Sequence, residues 1–454
     1  MAVSAAPGTP SATDPTGSPP EDARPSDRTA SVRRVGLLSV HTSPLEQPGR
    51  GDSGGMNVYL TAVARRLVQR DVEVHVFTRT ASGDLAASLA TSDGVRVHHI
   101  SAGPMGLSKG NLASHLCAFY LGFAAHPITP TLDLVHGHYW MSGWVGRHAR
   151  RRLGLPLVQS FHTLARAKNA GLAPGDAPES ALRLTAEDRI VAAADAVVAP
   201  TGTEAALLRD RYPARPQAIR VVEPGVDLDV FTPEIDRHAA RQAIGGGRIL
   251  LFVGRLQPLK APDLAVRTLA ALDDLLPDDG IPTRLVVVGG ASGSGFGTVD
   301  PPALRGLARE LGIADRVAFL APRRQPELAT LYRAADVVLM PSYSESFGLV
   351  ALEAQASGTP VVASAVGGLR HVVKDGVGGT LVGDHDPRSF ASAAARYLTD
   401  ARLRAAVGEA GRDHALRYSW DRTADGTLEV YADVLEAQDE VVGGSGRLAG
   451  GLGG

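Results

Sequence analysis

"DVVLMPSYSESFGLVALEAQASGTPVVAS" occupies residues 336–364. After Asp336 the chain is apolar to Met340, as in a strand covered on both faces. A polar loop follows. The spacing then predicts a helix that opens near Phe347 or Gly348 and closes by Gly358. "PVVAS" (360–364) starts a second buried strand. Strand, loop, helix and strand in this order form one unit of a parallel sheet with helical crossovers. Two carboxylates frame the helix start, Glu345 in the loop and Glu353 in the second turn. On one continuous helix they would not share a face, and the loop removes that objection.

The same unit recurs along the chain. Strands are expected at 34–40, 72–78, 95–100, 133–138, 155–161 and 195–200, and again at 248–254, 284–290, 316–320, 336–340 and 360–364. Helical stripes lie between them, as at 56–70, 262–276 and 302–312. "VVEPGVDLDVFTPE" (221–234) separates the two series, and its Pro-Gly pair breaks regular structure. The expected plan is an α/β chain with two Rossmann-like parallel-sheet domains, over 33–228 and 229–415. An amphipathic helix over 416–437 would cross back to the first domain. Residues 1–32 and 438–454, rich in small and polar types, are expected to be a disordered and a flexible tail. In open sheets of this kind ligands sit beyond the carboxyl ends of the strands, here in a cleft between the domains.

Composition narrows the function classes. Of 454 residues 44% are hydrophobic and 21% charged, with a formal net charge of -2. Nothing in that balance favours nucleic acid or an anionic membrane. The basic run "GRHARRRLG" (146–154) lies in a helical stretch without aromatic partners and reads as a solvated face. No signal-peptide core or membrane-length apolar run is evident, so a cytoplasmic protein is expected. Cys117 is the one cysteine, which excludes an internal disulfide, and its apolar surroundings suggest a buried thiol.

Several strand ends carry candidate chemistry. The loop "HTSPLEQPGRGDSGGMNVYL" (41–60) opens a helix whose first N–H groups suit an anion or a sugar. It lacks the G-x-G-x-x-G spacing of dinucleotide sites. His136 and His138 end one strand with no acidic or cysteine partner nearby, which argues against zinc. His162 and Thr163 end the next strand. In "VGRLQPLKAPD" (253–263), Arg255 and Lys260 follow a strand end and could straddle a pyrophosphate, Arg as a planar fork and Lys as a point charge. Lys109 and Arg183 taken alone read as surface cations. The carboxylates of Glu345 and Glu353 suit the paired hydroxyls of a sugar or ribose.

Together "VGRLQPLK" (253–260), "ESFGLVALEA" (345–354) and "GTPVVAS" (358–364) resemble the retaining glycosyltransferases of family 4, which have the GT-B fold. The resemblance spans roughly residues 33–437. A narrower resemblance, to the members of that family acting on inositol phosphate in mycothiol biosynthesis, is carried by the 41–60 loop, "GLSKGNL" (106–112), "HGHYWMSG" (136–143) and "SFHTLARAKN" (160–169). The last two segments also resemble sucrose synthase and sucrose-phosphate synthase, so "DSGGMN" and Lys109 do more of the sorting.

The resemblance implies transfer of N-acetylglucosamine from UDP-GlcNAc to 1D-myo-inositol 3-phosphate with retention. It places His41, Asp52, Ser53, Gly54, Gly55, Met56, Asn57, Lys109, Tyr139, Thr163 and Arg183 on the acceptor. It places Gln47, Pro48, Gly55, Arg255, Lys260, Arg323, Glu345 and Glu353 on the donor, with Arg324 adjoining Arg323. His162, Arg255, Lys260 and Glu345 would stand at the reacting centre, His162 near the sugar's 6-hydroxyl. The chemistry needs no cofactor. The resemblance does imply a magnesium ion near Tyr332, Arg333, Ala335 and Thr359, held through backbone carbonyls and water. It also allows a homodimer. One departure is the glycine-rich "GGASGSGFGTVDPP" (289–302), longer than expected at a uracil contact. Rival readings are a transferase of the same fold with a fructose phosphate or lipid inositol acceptor, an epimerase or phosphorylase, and a non-catalytic nucleotide-sugar binder.

Overall fold

The computed structural model describes residues 32–80, 86–242, 244–290 and 301–449, the last nine by their backbone. Two sheets organise the chain. The first holds β1 (Arg34–Ser39), β2 (Glu73–Arg79), β3 (Ser88–Ala90), β4 (Arg96–Ile100), β5 (Leu134–His138), β6 (Leu157–Ser160), β7 (Ala196–Ala199) and β8 (Ile219–Val221). Their spatial order is β3-β4-β2-β1-β5-β6-β7-β8, parallel throughout except for β3. The second holds β9 (Arg248–Val253), β10 (Thr283–Val288), β11 (Val317–Leu320), β12 (Val337–Met340), β13 (Val361–Ser364) and β14 (Gly379–Val382). Its order is β11-β10-β9-β12-β13-β14, all parallel.

Strand order reverses between β1 and β5 in the first sheet and between β9 and β12 in the second. A crevice opens beyond the carboxyl ends of the strands at such a switch point. The segments leaving these four strands are the ones singled out from sequence: the 41–54 loop, Tyr139, Gly254–Arg255 and the loop before Gly348. Topology therefore brings the candidate residues of both domains to one cleft.

The eleven expected strands are present, within two residues at each end. Strands β3, β8 and β14 carry no sequence signal, being three or four residues long and partly exposed. The helical stripe over 262–276 breaks early: the helix Pro262–Ala271 ends, and Leu272 turns back to donate to Leu269 O at 3.3 Å. Cys117 is exposed, which corrects its expected burial. Its helix, Leu116–Ala124, turns Leu116, Phe119 and Phe123 inward and leaves Cys117 outside.

The chain leaves the first sheet at Val221 and enters the second at Arg248. The final helix, Trp420–Ala449, lies on the first domain. Trp420 and Tyr431 are 2% and 0% exposed, packed among β-strand and helix residues of that domain. Arg70 Nε reaches Asp425 Oδ1 at 2.6 Å. The helix continues past 437, so the flexible tail expected over 438–454 is corrected: residues up to Ala449 are helical. Internal glycines such as Gly443 and Gly444 cost about 1 kcal/mol each but break no backbone hydrogen bond. The expected N-terminal tail, most of the glycine-rich 289–302 loop and residues 450–454 lie outside the described residues. Among the described residues no helix is long and apolar enough to cross a membrane.

Candidate active site

The first domain supplies a loop that is locked by its own side chains. Asn57 Oδ1 accepts the Gly54 N–H at 3.1 Å, while Nδ2 donates to Thr42 Oγ1 at 2.9 Å and Ser43 O at 2.7 Å. The helix Gly55–Val68 thus begins at a fixed point, with Asp52, Gly54, Gly55 and Met56 on the cleft wall. Asn57 also borders the cleft, but its amide is committed to the loop. Ser53 is not on the wall. It is fully buried and donates Oγ to Glu46 O at 3.3 Å, a correction to its expected acceptor contact.

Beyond β5 and β6 the backbone turns sharply, with Tyr139 at φ 74° and His162 at φ 59°. Such angles are rare for residues with a side chain and are held here by the surrounding fold. The Tyr139 ring gathers two cations: Lys109 Nζ lies 4.3 Å and Arg183 Cζ 4.8 Å from its centroid. Lys109, Tyr139 and Thr163 line the cleft, whereas Arg183 stands behind them, 3% exposed. Arg183 is bound to Glu187 at 2.8 Å and Glu179 at 3.0 Å, and donates to Thr163 O at 2.5 Å. It supports the wall and is not part of its surface.

The His41 ring lies against that of Tyr139, tilted by 46° with centroids 4.6 Å apart. Burial, followed by the fields of Lys109, Arg255, His162 and Arg183, holds its pKa well below the usual imidazole range. Charges from both domains therefore meet around a neutral imidazole, and its buried Nδ1 has no hydrogen-bond partner among the described residues. His162 is lowered to about 3 by burial and shares a 2.9 Å hydrogen bond from Nε2 to His138 Nδ1. His136 lies deeper, between Tyr431 Oη at 2.7 Å and Ser160 Oγ at 2.9 Å, a satisfied structural histidine.

The second domain answers with Arg255, Lys260, Glu345 and Glu353. A Cβ at Gly54 would sit 3.2 Å from Arg255 Nε, so the glycine lets the guanidinium cross to the first domain. Burial lowers the Arg255 pKa, against the opposing charges of Asp52 and Glu345. Lys260 is ion-paired with Glu345. Gly348 caps the helix Leu349–Ala356 at φ 108°, where a Cβ would also lie 2.7 Å from Leu369. Only glycine meets both conditions. Glu353 accepts a 2.8 Å hydrogen bond from the Tyr332 hydroxyl, and burial pushes its carboxyl up to about 7.

These groups enclose a cavity of about 720 Å³. Gln47, Pro48, Arg323 and Arg324 border it as well, and Gln47 Nε2 donates to Pro322 O at 3.1 Å across the domains. Apolar walls with a few convergent charges are the usual make-up of a small-molecule site.

Comparison with known proteins agrees with this geometry. Residues 53–230 match the family model Glycosyltransferase Family 4, and residues 234–414 match Glycosyl transferases group 1. The chain is 51% identical over 417 residues to the D-inositol 3-phosphate glycosyltransferase of Salinispora arenicola, covering 89% of this chain and 93% of that one. The chain belongs to the D-inositol 3-phosphate glycosyltransferase family. Another member, from Actinosynnema mirum, is 50% identical over 420 residues, covering 90% of this chain and 100% of that one. Among solved structures, sucrose-phosphate synthase from Thermosynechococcus elongatus superposes with a TM-score of 0.81 at 31% identity, covering 89% of this chain and 100% of that one. The fold is GT-B, as the two facing sheets require.

In this family member the four residues expected around magnesium lie elsewhere. Arg333, Ala335 and Thr359 border a second cavity behind the second sheet, and Tyr332 is buried beside them. Magnesium there would rest on backbone carbonyls and water, since the Arg333 and Ala335 side chains offer no oxygen. The Tyr332 carbonyl already accepts the Thr359 hydroxyl at 2.7 Å and the Ala335 N–H at 3.2 Å. The Ala335 carbonyl accepts Arg237 Nη2 at 3.4 Å. The Tyr332 hydroxyl is given to Glu353, and guanidinium groups surround the rest. Among the described residues no group of three or more His, Cys, Asp or Glu could hold a metal ion.

Sequence reasoning missed the Tyr332–Glu353 bond, the Gln47–Pro322 bridge and the cleft positions of Pro322 and Leu349. Arg324 next to Arg323 was visible as a second candidate. The others join residues far apart in the chain and leave no local signal.

Proposed function

We propose that this protein transfers N-acetylglucosamine from UDP-GlcNAc to 1D-myo-inositol 3-phosphate with retention at the anomeric carbon, the first step of mycothiol biosynthesis. The observation that carries the reading is the meeting of cations from both domains around His41: Lys109 on the acceptor side, with Arg183 braced behind the wall, and Arg255 on the donor side. A phosphate-bearing acceptor and a pyrophosphate-bearing donor need cations on both sides of one cavity. The names of the relatives, at about half identity over most of both chains, support the acceptor.

In this mechanism the bond from the sugar's C1 to the β-phosphate oxygen breaks. The inositol hydroxyl approaches on the same face and forms the new C1–O bond. Its proton passes to the departing phosphate. Arg255 and Lys260 stabilise the charge that develops there. Glu353 holds the ribose, and Glu345 leaves Lys260 to hold sugar hydroxyls. His162, neutral under ordinary conditions, offers a hydrogen bond to the 6-hydroxyl.

The 31% identity and close superposition with sucrose-phosphate synthase favour one rival, a sugar-phosphate acceptor. One assay separates the two. Purified protein is given UDP-GlcNAc or UDP-glucose with inositol 3-phosphate or fructose 6-phosphate, without magnesium and with a chelator. UDP release is followed and the product's anomeric configuration is read by NMR. Release confined to UDP-GlcNAc with inositol 3-phosphate, giving an α-linked product, is expected. Turnover only with fructose 6-phosphate, or none with either acceptor, overturns the reading.

A further inference from the structure

The strand β5 ends in "HGH", and the two-residue period of a strand puts His136 and His138 on one face, ring centroids 4.2 Å apart. The two rings are tied differently. Both nitrogens of His136 are satisfied, by Tyr431 and Ser160. His138 is 1% exposed, and its Nδ1 lies 2.9 Å from His162 Nε2. The other nitrogen of His138, Nε2, is buried and has no hydrogen-bond partner among the described residues. His162 stands past the end of β6 on the wall of the cleft, with the Tyr59 ring edge-on against it at 5.1 Å. Its Nε2 is spent on His138, so Nδ1 is the ring nitrogen left for a ligand.

Burial keeps both rings neutral, lowering His162 to about 3 and His138 well below the usual imidazole range. Each ring then carries a single N–H proton. One hydrogen bond between two such rings holds one proton, which leaves two arrangements. In the first, His138 donates from Nδ1, and His162 carries its own proton on Nδ1, towards the cleft. In the second, His162 donates from Nε2, and the His138 proton sits on Nε2. The second arrangement buries an N–H with nothing to receive it, since the adjacent His136 has both nitrogens engaged. The first leaves only an unused lone pair there. Buried N–H groups without an acceptor are rarer in folded proteins than acceptors without a donor.

We propose that His138 is a positioning residue: it fixes His162 as the tautomer protonated on Nδ1, which makes the cleft nitrogen a hydrogen-bond donor. His162 then grips the sugar's 6-hydroxyl by its oxygen, and a 6-ammonium group, which has only protons to offer, is rejected. What the N–H meets rests on the UDP-GlcNAc reading of the cleft. Where the proton sits does not.

NMR of the whole protein, with ¹⁵N in the imidazole rings and no ligand added, reads the tautomers near neutral pH. The His162 signals are those lost in His162→Gln. His162 should be protonated on Nδ1 and bare on Nε2. The reverse pattern, or a ring divided evenly between the two forms, overturns the proposal whatever the protein transfers. Turnover of UDP-GlcNAc reads the consequence. His138→Leu removes the inner donor and should lower kcat about tenfold, with KM for inositol 3-phosphate unchanged. His138→Asn, whose amide nitrogen takes the place of Nδ1, should restore most of that loss. With a UDP-sugar lacking the 6-hydroxyl, wild type and His138→Leu should turn over alike. A loss that asparagine does not repair, or that persists undiminished with the 6-deoxy donor, shows a packing role and overturns the proposal. Should His138→Leu not fold, the wild-type spectrum and His138→Asn still decide. A protein inactive towards UDP-GlcNAc refutes the proposed transfer and leaves the tautomer to be judged by the spectrum.

Discussion

Replacing Glu353 by glutamine should stabilise the protein and weaken its hold on the donor, each in a pH-dependent way. Glu353 is 7% exposed, and burial pushes its carboxyl from 4.5 to about 7 while the Tyr332 hydroxyl pulls it back only in part. Between those values the folded protein binds a proton that the unfolded chain releases. The group's contribution to stability is therefore intact below pH 4.5 and falls as pH rises to about 7. At about 1.4 kcal/mol per pH unit the loss reaches ~3 kcal/mol above that window. Glutamine keeps an oxygen for Tyr332 and has no charge to bury. With about 2–4 °C of Tm per kcal/mol for a domain of this size, Glu353→Gln should melt ~6 °C or more above wild type at pH 8.5. At pH 5, where both side chains are neutral, the two should nearly coincide. Differential scanning calorimetry without ligand reads this directly. Titration with UDP-GlcNAc at pH 8.5 should show affinity weakened about tenfold or more, through the lost charge-assisted bonds to ribose. A Tm difference equal at both pH values, or unchanged affinity for the UDP-sugar, refutes the reasoning.

Lys109→Ala should raise KM for inositol 3-phosphate about tenfold or more while leaving the affinity for UDP nearly intact, as calorimetry with UDP alone would show. Gly348→Ala forces a Cβ into Leu369 at a positive φ. It should cost about 1–3 kcal/mol in denaturant unfolding, and a neutral result would mean that the helix start shifts freely. Glu345→Gln releases Lys260 from its partner and should tighten binding of UDP itself while lowering kcat with the sugar donor. Weaker UDP binding in that variant would show that the ion pair positions Lys260 for phosphate rather than competing for it.

The parts of the fold legible in sequence are those whose physics is local. Runs such as Ile249–Val253 or Val337–Met340 are apolar along their length because both faces of each strand are covered, and periodicity shows it. Gly348 and the polar loop before it mark a helix start for steric reasons. β14 begins with a glycine and is joined by pairing with β13, which nothing within four residues can announce. The site divides in the same way. Arg255 and Lys260 were visible at a strand end, and their placement follows from topology. That Lys260 meets Glu345, 85 residues on, or that Arg183 braces Thr163 from behind Tyr139, depends on which loops face one another. Ser53 and Cys117 show the converse: a residue inside a telling motif can turn into the protein, and one inside an apolar run can lie on the outer face of its helix.

The charges around the cleft belong to a common design. Arg255 lies in the field of Asp52 and Glu345, Lys260 pairs with Glu345, and Lys109 lies over Tyr139. A pyrophosphate arriving among them exchanges one anion for another, which avoids stripping water from bare cations at the moment of binding. In the proposed mechanism the displaced Glu345 is then free to accept sugar hydroxyls. A donor lacking the sugar would displace Glu345 without giving it hydroxyls to accept. The ion pair would thus favour the complete nucleotide-sugar over UDP, and the same step that opens the phosphate site would arm the sugar site. Glu353 completes the arrangement from the other end of the helix start. Its buried charge, unfavourable in the protein alone, becomes favourable when ribose hydroxyls donate to it.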